Sequence, residues 1–269
     1  MLAPFEVLLD TGEHAYALPA ELSRVYGRLG FADRVVYSNF VSSLDGVVAI
    51  GSGISSGSVI SGKLPADRFL MALLRACADA VVIGAGTMRA TPGHLWTPAH
   101  VYPDLAPEFA ALRQTLGLGL EPRLVLLTAS GKLDFKHPAL VRGAIVMTTK
   151  SVARRIGKLL PPACEVIALG AGKTLDIRHA FAELTSLGMD VVLTEGGPHL
   201  MGEVIRAGLL DEMFLTLSPV VAGRGEELRL GMAEGVELLP KIPVWSHLLS
   251  ARRQGDFLFL RYALSPSGG

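Results

Sequence analysis

Two glycine-bearing junctions carry the strongest chemical signal in this chain. The first is Val81-Val82-Ile83-Gly84-Ala85-Gly86-Thr87, an apolar strand pattern that runs straight into glycines. The second is Thr194-Glu195-Gly196-Gly197-Pro198-His199-Leu200, where another apolar run meets the start of a helical pattern. Glycine removes the side chain that would hold a ligand away from the backbone. The N–H groups at a helix N-terminus lack intrahelical partners and attract phosphate. Pro198 fits the first helical turn, where a missing N–H costs nothing. Neither junction is a complete G-x-G-x-x-G, and each alone also fits an ordinary strand-to-helix turn. Two of them at strand ends in one parallel sheet suit a dinucleotide.

Three further groups could supply chemistry. Ser42-Ser43-Leu44-Asp45-Gly46 closes another strand, so Asp45 and Glu195 are expected at the ends of strands. If those strands are neighbours, two carboxylates share a cleft, and one can be raised in pKa to act as an acid. Aspartate before glycine is equally a common turn. Arg68 and Arg75 lie seven apart on one helix and are expected to share a face, which suits either a phosphate-bearing substrate or a solvated surface. Thr148-Thr149-Lys150-Ser151 with Arg154 and Arg155 follows a strand. That cluster suits the 2′-phosphate of NADPH, or a helix capped by Ser151 with a basic outer face.

Other classes are disfavoured. Lys+Arg and Asp+Glu balance at 25 each, so there is no electrostatic footprint for nucleic acid or a membrane surface. His94, His100, His137, His179, His199 and His247 are scattered without a ligand spacing, and no metal site is expected. Cys77 and Cys164 read as free thiols. The N-terminus lacks a signal-peptide pattern and no run is long enough to span a membrane, so a cytoplasmic protein is expected.

The elements that position these residues follow from hydrophobic pattern. Apolar strands are predicted at Val35–Val41, Asp79–Gly84, Arg123–Thr128, Ala144–Thr149, Cys164–Leu169, Asp190–Thr194 and Met213–Leu217. A helix beginning near Pro65 carries the stripe Phe69, Leu70, Leu73, Leu74 and Cys77, and others are predicted at Ser151–Leu160, Asp176–Leu187 and Pro198–Ala207. Continuous apolar strands joined by helices imply a mostly parallel central sheet covered on both faces. Trp245–Arg252 and Asp256–Tyr262 read as an antiparallel C-terminal hairpin, a candidate edge for a second copy. Residues 51–62 read as a Gly/Ser-rich loop, and residues 1–33 as an N-terminal arm with one short helix near Pro19–Leu29, ahead of a single domain at 34–269.

These blocks together resemble the reductase domain of bacterial riboflavin biosynthesis. The match rests on Asn39-Phe40-Val41-Ser42-Ser43-Leu44-Asp45-Gly46, on Leu74-Arg75 with Asp79 to Thr87, and on Leu193 to Pro198 with Leu209-Leu210-Asp211-Glu212-Met213 and Leu217-Ser218-Pro219. It runs from about Arg34 to Tyr262. The resemblance implies a dihydrofolate-reductase-like α/β fold, NADPH as hydride donor and a homodimer. It also implies reduction of 5-amino-6-(5-phosphoribosylamino)uracil from ribosyl to ribityl. Gly84, Thr87, Thr149, Gly196, Gly197, Pro198, His199 and Leu200 would hold the cofactor, with Val41 and Gly57 at its nicotinamide end. Ser55, Arg75 and Asn39 would contact the substrate, and Asp45 and Glu195 its reacting end. The chain departs from the pattern in three ways. It has no upstream deaminase signature, Asn39 stands where a lysine is common, and Arg89-Ala90-Thr91-Pro92-Gly93-His94-Leu95-Trp96 replaces an Asp-Asp-Pro segment. Arg89 or His94 are candidate substitutes there. Two other readings share the NADPH loops: a reductase of dihydrofolate or another pterin-like substrate, and a non-catalytic NADPH-binding protein.

Overall fold

The apolar runs become strands of one ten-stranded sheet in the computed structural model, which describes residues 1–51 and 55–265. In chain order the strands are β1 (Glu6–Asp10), β2 (Val35–Ser42), β3 (Ala49–Ile50), β4 (Ala80–Gly84), β5 (Arg123–Leu127) and β6 (Ile145–Thr148). They continue with β7 (Glu165–Ala168), β8 (Val191–Thr194), β9 (Glu212–Leu217), β10 (Arg229–Leu230), β11 (Ser246–Gln254) and β12 (Phe257–Leu264). The first helices are α1 (Ala20–Tyr26), α2 (Ser56–Ile60), α3 (Pro65–Cys77), α4 (Ala85–Ala90) and α5 (Pro98–Val101). After them come α6 (Ala106–Thr115), α7 (Pro138–Arg142), α8 (Lys150–Ile156), α9 (Ile177–Ser186) and α10 (Pro198–Arg206).

The sheet order is β1-β11-β12-β9-β2-β8-β4-β5-β6-β7. From β9 to β7 every pairing is parallel, and β12, β11 and β1 are added antiparallel. β3 and β10 form a separate two-stranded ribbon. The alternation of side chains along the strands divides the core in two. Tyr37, Val81, Leu193 and Phe214 pack under α3, whereas Val82, Val125, Val192 and Met201 pack toward α9 and α10. α3 starts with Pro65 in its first turn and buries Phe69, Leu70, Leu73 and Leu74, while the Tyr37 hydroxyl donates to the Leu74 carbonyl at 2.7 Å.

Three details differ from the pattern reading. Within 51–62, residues Ser56–Ile60 form α2, one helical turn that glycine and serine do not forbid but do not advertise; residues 52–54 of that stretch lie outside the described residues. α8 is capped by Thr149 rather than Ser151, its hydroxyl accepting from Val152 N. The hairpin edge is not free, because β1 pairs along β11 and takes the edge position.

That edge strand is fastened by buried charge. Arg252 of β11 donates to the carbonyls of Tyr26 and Arg28 and to Asp10 at 2.7 Å, and stacks over the Tyr26 ring. A buried pair that loses one partner strands the other charge, at about 3 kcal/mol or more. Asp10→Asn is therefore expected to lower unfolding stability by about 3 kcal/mol. Glu6→Gln, which breaks the exposed Arg253 pair, is expected to cost about 0–1 kcal/mol. Urea denaturation of both variants checks this, and equal losses would contradict it.

Candidate active site

β4 and β8 are parallel neighbours, with Val82 opposite Thr194, so the two glycine junctions lie side by side at the carboxyl ends of the strands. The Glu195 amide continues the ladder to the Val82 carbonyl at 3.0 Å. A Cβ on Gly196 would fall 2.5 Å from Leu200 Cδ2, and one on Gly197 would fall 3.4 Å from Thr87 Oγ1. A Cβ on Gly84 would lie 3.9 Å from the same Leu200 atom. Gly84, Thr87, Gly196, Gly197 and Leu200 are thus one cluster. Pro198 opens α10, whose first intrahelical bond is Met201 N to Gly197 O, so the amides of His199 and Leu200 precede it. His199 is exposed, with its ring against Gly235.

The other cofactor candidates occupy two flanking positions. Val41 and Gly57 meet across β2 and α2, a Gly57 Cβ falling 3.7 Å from Val41 Cγ1. Thr149 sits at the end of β6, two strands beyond β4, and caps α8. Ser55 precedes α2 and is exposed, its hydroxyl donating to Ser58. Asn39 is half-buried on β2, on the face of Tyr37 and Val41 that looks toward α3.

The charged candidates are arranged differently from expectation. Arg75 is 1 % exposed and forks onto Glu195, with Nε 2.9 Å from Oε1 and Nη2 2.5 Å from Oε2. It lies on the face of α3 that packs on the sheet, where a guanidinium needs a counter-charge, and Glu195 at the end of β8 supplies it. Its remaining N–H groups meet the Leu95 carbonyl and His94 Nε2 at 3.0 Å. Arginine can only donate, so Nε2 is the unprotonated nitrogen. Burial, with the Arg75 charge beside it, pushes His94 down to about 3, so the ring is neutral. Arg75 is therefore not free to take a substrate phosphate. Arg68, expected on the same face, is exposed and donates to the Val101 carbonyl, and Arg89 turns to the Lys132 carbonyl.

Asp45 lies at a different level of the sheet from Glu195. Ser38 is level with Thr194, so Ser42 lies roughly 13 Å farther along β2 at about 3.3 Å per residue, and Asp45 follows in the turn. Its carboxylate accepts from Ser43 and from the amides of Ala222 and Gly223, and these bonds hold it down at about 2. It is an ionised anchor between the β2 turn and the segment after β9.

The acid that pattern reading missed is Asp67, in the first turn of α3 and 5 % exposed. Burial pushes it up to about 6, against the pull of the Thr216 and Ser61 hydroxyls, and the Glu195 charge adds to the push. Its signal in the sequence was an aspartate three and seven residues before Leu70 and Leu74, on the buried stripe. A cleft of about 510 Å³ lies at the opposite end of the sheet, where Arg123 pairs with Glu165 and Arg142 with Glu121. It shares no residue with the glycine junctions.

Fold and site together define a mixed-sheet α/β protein whose crevice opens at the carboxyl ends of β8 and β4. Residues 34–241 match the RibD C-terminal domain, and the chain belongs to that family. Its architecture is the dihydrofolate-reductase-like one the resemblance implied. Among solved structures it is similar to a pyrimidine reductase-like protein from Corynebacterium diphtheriae, at 23 % identity and a TM-score of 0.71, over 91 % of this chain and 98 % of that one. It is also similar to RibD from Acinetobacter baumannii, at 19 % identity and a TM-score of 0.63, over 86 % of this chain and 58 % of that one. The riboflavin biosynthesis reductase Rib7 of Saccharomyces cerevisiae matches at 16 % identity and a TM-score of 0.57, over 89 % of this chain and 94 % of that one. No curated protein sequence matches this chain. No helix among the described residues is long and apolar enough to cross a membrane.

Asp67 makes the stability of the fold depend on pH. Its folded pKa of about 6 lies above the ordinary 3.8, so the folded chain keeps a proton that the unfolded chain has released. Stability is then lost as pH rises through that window. Asp67→Asn removes the cost and is expected to stabilise the protein by about 1–3 kcal/mol near pH 8. The gain should vanish near pH 4. Thermal unfolding at both values tests this, and a pH-independent difference would contradict it.

Proposed function

We propose that this chain is an NADPH-dependent reductase acting on 5-amino-6-(5-phosphoribosylamino)uracil, converting the ribosyl group to ribityl. The uracil is the form the family resemblance implies. The observation that carries the reading is the pair of adjoining glycine junctions, where Gly196 lets Leu200 of α10 close against the turn and an added Cβ at Gly197 would come within 3.4 Å of Thr87 Oγ1. That cradle fits a dinucleotide phosphate bridge. Gly84, Thr87, Gly196, Gly197, Pro198, His199 and Leu200 would hold the cofactor's centre, Thr149 its 2′-phosphate end, and Val41 with Gly57 its nicotinamide. Bound there, NADPH supplies the hydride.

The chain's own residues bind and orient. The ribosyl ring opens to an imine; its carbon gains the hydride, its nitrogen gains a proton, and the C=N bond becomes C–N. Glu195, whose oxygens already accept from Arg75, would accept a hydrogen bond at the reacting end. Asn39 and Ser55 would line the substrate side. Asp45, whose carboxylate is held by the amides of Ala222 and Gly223, would reach the substrate's end only from the turn after β2. Holding the reacting carbon against the nicotinamide supplies much of the rate. Residues 34–269 are taken as the reductase domain with 1–33 as an arm built onto it, a division supported by a family match that starts at residue 34. A cytoplasmic homodimer completes the reading.

Loss of NADPH absorbance with the phosphoribosylaminouracil and with dihydrofolate, side by side, tests the activity. Turnover of neither, with NADPH bound, would leave this reading without support. Glu195→Gln is expected to lower turnover by on the order of a hundredfold or more, since it also strands Arg75. Gly196→Ala is expected to weaken NADPH binding far more than Gly197→Ala, because its Cβ meets Leu200 at 2.5 Å against 3.4 Å to Thr87 Oγ1. Equal losses in the two glycine variants would contradict the cradle.

A further inference from the structure

Arg75 carries more N–H groups than Glu195 can take, and His94 accepts one of them. Pro92 and Gly93 turn the chain after α4, with His94 N donating to the Thr91 carbonyl at 3.0 Å. The turn brings His94 Nε2 to 3.0 Å from Arg75 Nη2. The same guanidinium nitrogen donates to Glu195 Oε2. A single nitrogen therefore joins the imidazole to the carboxylate. The ring is itself held in place. Trp96 and His100 each meet it edge-on, with centroids 5.0 Å away. Trp96 packs in turn against His137, at 5.9 Å. His137 is fixed at both nitrogens, Nε2 donating to the Thr91 carbonyl and Nδ1 accepting from Ala139 N. Thr91 also ties the segment to the cofactor cluster, its hydroxyl donating to the Thr87 carbonyl. His137, Trp96 and His94 thus stand in line behind Arg75.

The acceptor at position 94 is neutral, and its neutrality has a consequence for Glu195. Among the described residues Glu195 is the one carboxylate paired with Arg75. A second carboxylate at position 94 would share the guanidinium and draw it off Glu195, and an imidazolium would repel it. A neutral acceptor satisfies the spare N–H and leaves the whole charge to Glu195. Burial and the Arg75 charge hold the ring neutral, with His100, His137 and Arg68 adding to the same effect. A buried N–H that loses its acceptor is costly to leave unmade, so the guanidinium would turn toward another one. The carboxylate forked onto it would turn with it.

Resting on the reductase reading above, we infer that His94 is a positioning residue for the reduction: its Nε2 fixes the Arg75 guanidinium, and through it the orientation of the Glu195 carboxylate at the substrate's reacting end. The role falls to the 89–96 segment, which replaces the Asp-Asp-Pro of the family pattern, and it does not require His94 to touch substrate or cofactor. Reaction rate is sensitive to such fixing, since a misplacement of about 1 Å that starts far from the chemistry can cost on the order of a hundredfold.

Two measurements test this. The first uses wild-type protein labelled with ¹⁵N-histidine. Arginine only donates and a carbonyl only accepts. Long-range ¹⁵N–¹H spectra near neutral pH are therefore expected to show His94 as the Nδ1–H tautomer and His137 as the Nε2–H tautomer, both uncharged. A protonated His94, or one carrying its proton on Nε2, would overturn the inference, and this result stands even if a variant folds poorly. The second compares His94→Leu, His94→Gln and His94→Glu in NADPH-linked reduction of the phosphoribosylaminouracil. Leucine removes the acceptor and is expected to lower kcat by on the order of tenfold or more, while KM and the NADP⁺ dissociation constant move by less than about twofold. Glutamine carries a neutral oxygen to the place of Nε2 and is expected to recover most of that loss. Glutamate has the same length and also accepts, but its charge competes for Arg75, so turnover is expected to stay low. A role in packing alone would rank glutamine and glutamate together. Equal turnover in those two variants, or undiminished turnover with leucine, would overturn the inference and leave the reductase reading standing. Absence of turnover in the wild type would bring down the reductase reading and the positioning role with it.

Discussion

The buried fork between Arg75 and Glu195 is the constraint around which the crevice is built. It joins the last turn of α3 to the turn between β8 and α10, so the glycine junction cannot shift without stranding a charge. Burying two ions costs several kcal/mol each, and the pair is tolerable only if the spare donors are also satisfied. Leu95 and His94 do that, and both belong to the 89–96 segment that departs most from the family pattern. The altered segment is thus tied to the catalytic end through Arg75, not through direct display of a charged side chain. The same end of α3 is held a second time: Arg113, itself buried, donates to the carbonyls of Arg75, Ala76 and Ala78 where the helix ends. A cation at a helix C-terminus and Asp67 in the first turn both complement the helix dipole.

A second set of buried arginines attaches what lies outside the parallel sheet. Arg261 of β12 pairs with Glu212 of β9, donates to the Gly30 carbonyl and stacks over Phe31. Arg252 does the same for Asp10 and the carbonyls after α1. Phe5 then fills the space between Tyr26 and Phe259, with centroids 5.4 Å and 4.7 Å away. Residues 1–33 therefore contribute to the main core and close the edge of the hairpin. The parallel strands that carry the site are insulated from that edge by β12 and β11.

Legibility in the sequence followed how local each signal was. Continuous apolar runs such as Val81–Ile83 and Val191–Leu193 announced buried parallel strands, and Pro65 and Pro198 marked helix starts, because those features act within a few residues. The same holds for Gly84, Gly196 and Gly197, whose missing Cβ lets the two junctions and Leu200 pack closely. Long-range choices were not readable. Nothing near Glu195 in sequence shows that its partner is Arg75, 120 positions away, and nothing in the turn at Asp45 shows that it binds amides at 222 and 223. β1 is too short and too exposed to read as part of a sheet, since its pairing partner lies at the other end of the chain. α2 contains Gly57 and two serines, and serine favours caps and turns over helix interiors.

Asp67 shows why the least legible residue can be the most informative. A stripe-position aspartate breaks the rule that buried charges are paired, and a fold selected for stability alone would place an apolar residue there. Local rules are most often broken where a site needs a group that the core does not. Two neighbouring hydroxyls lower the cost without cancelling it, and the Thr216 hydroxyl is left unsatisfied in doing so. Ser61, which comes from α2, also makes the carboxyl's environment depend on a short element packed beside Val41.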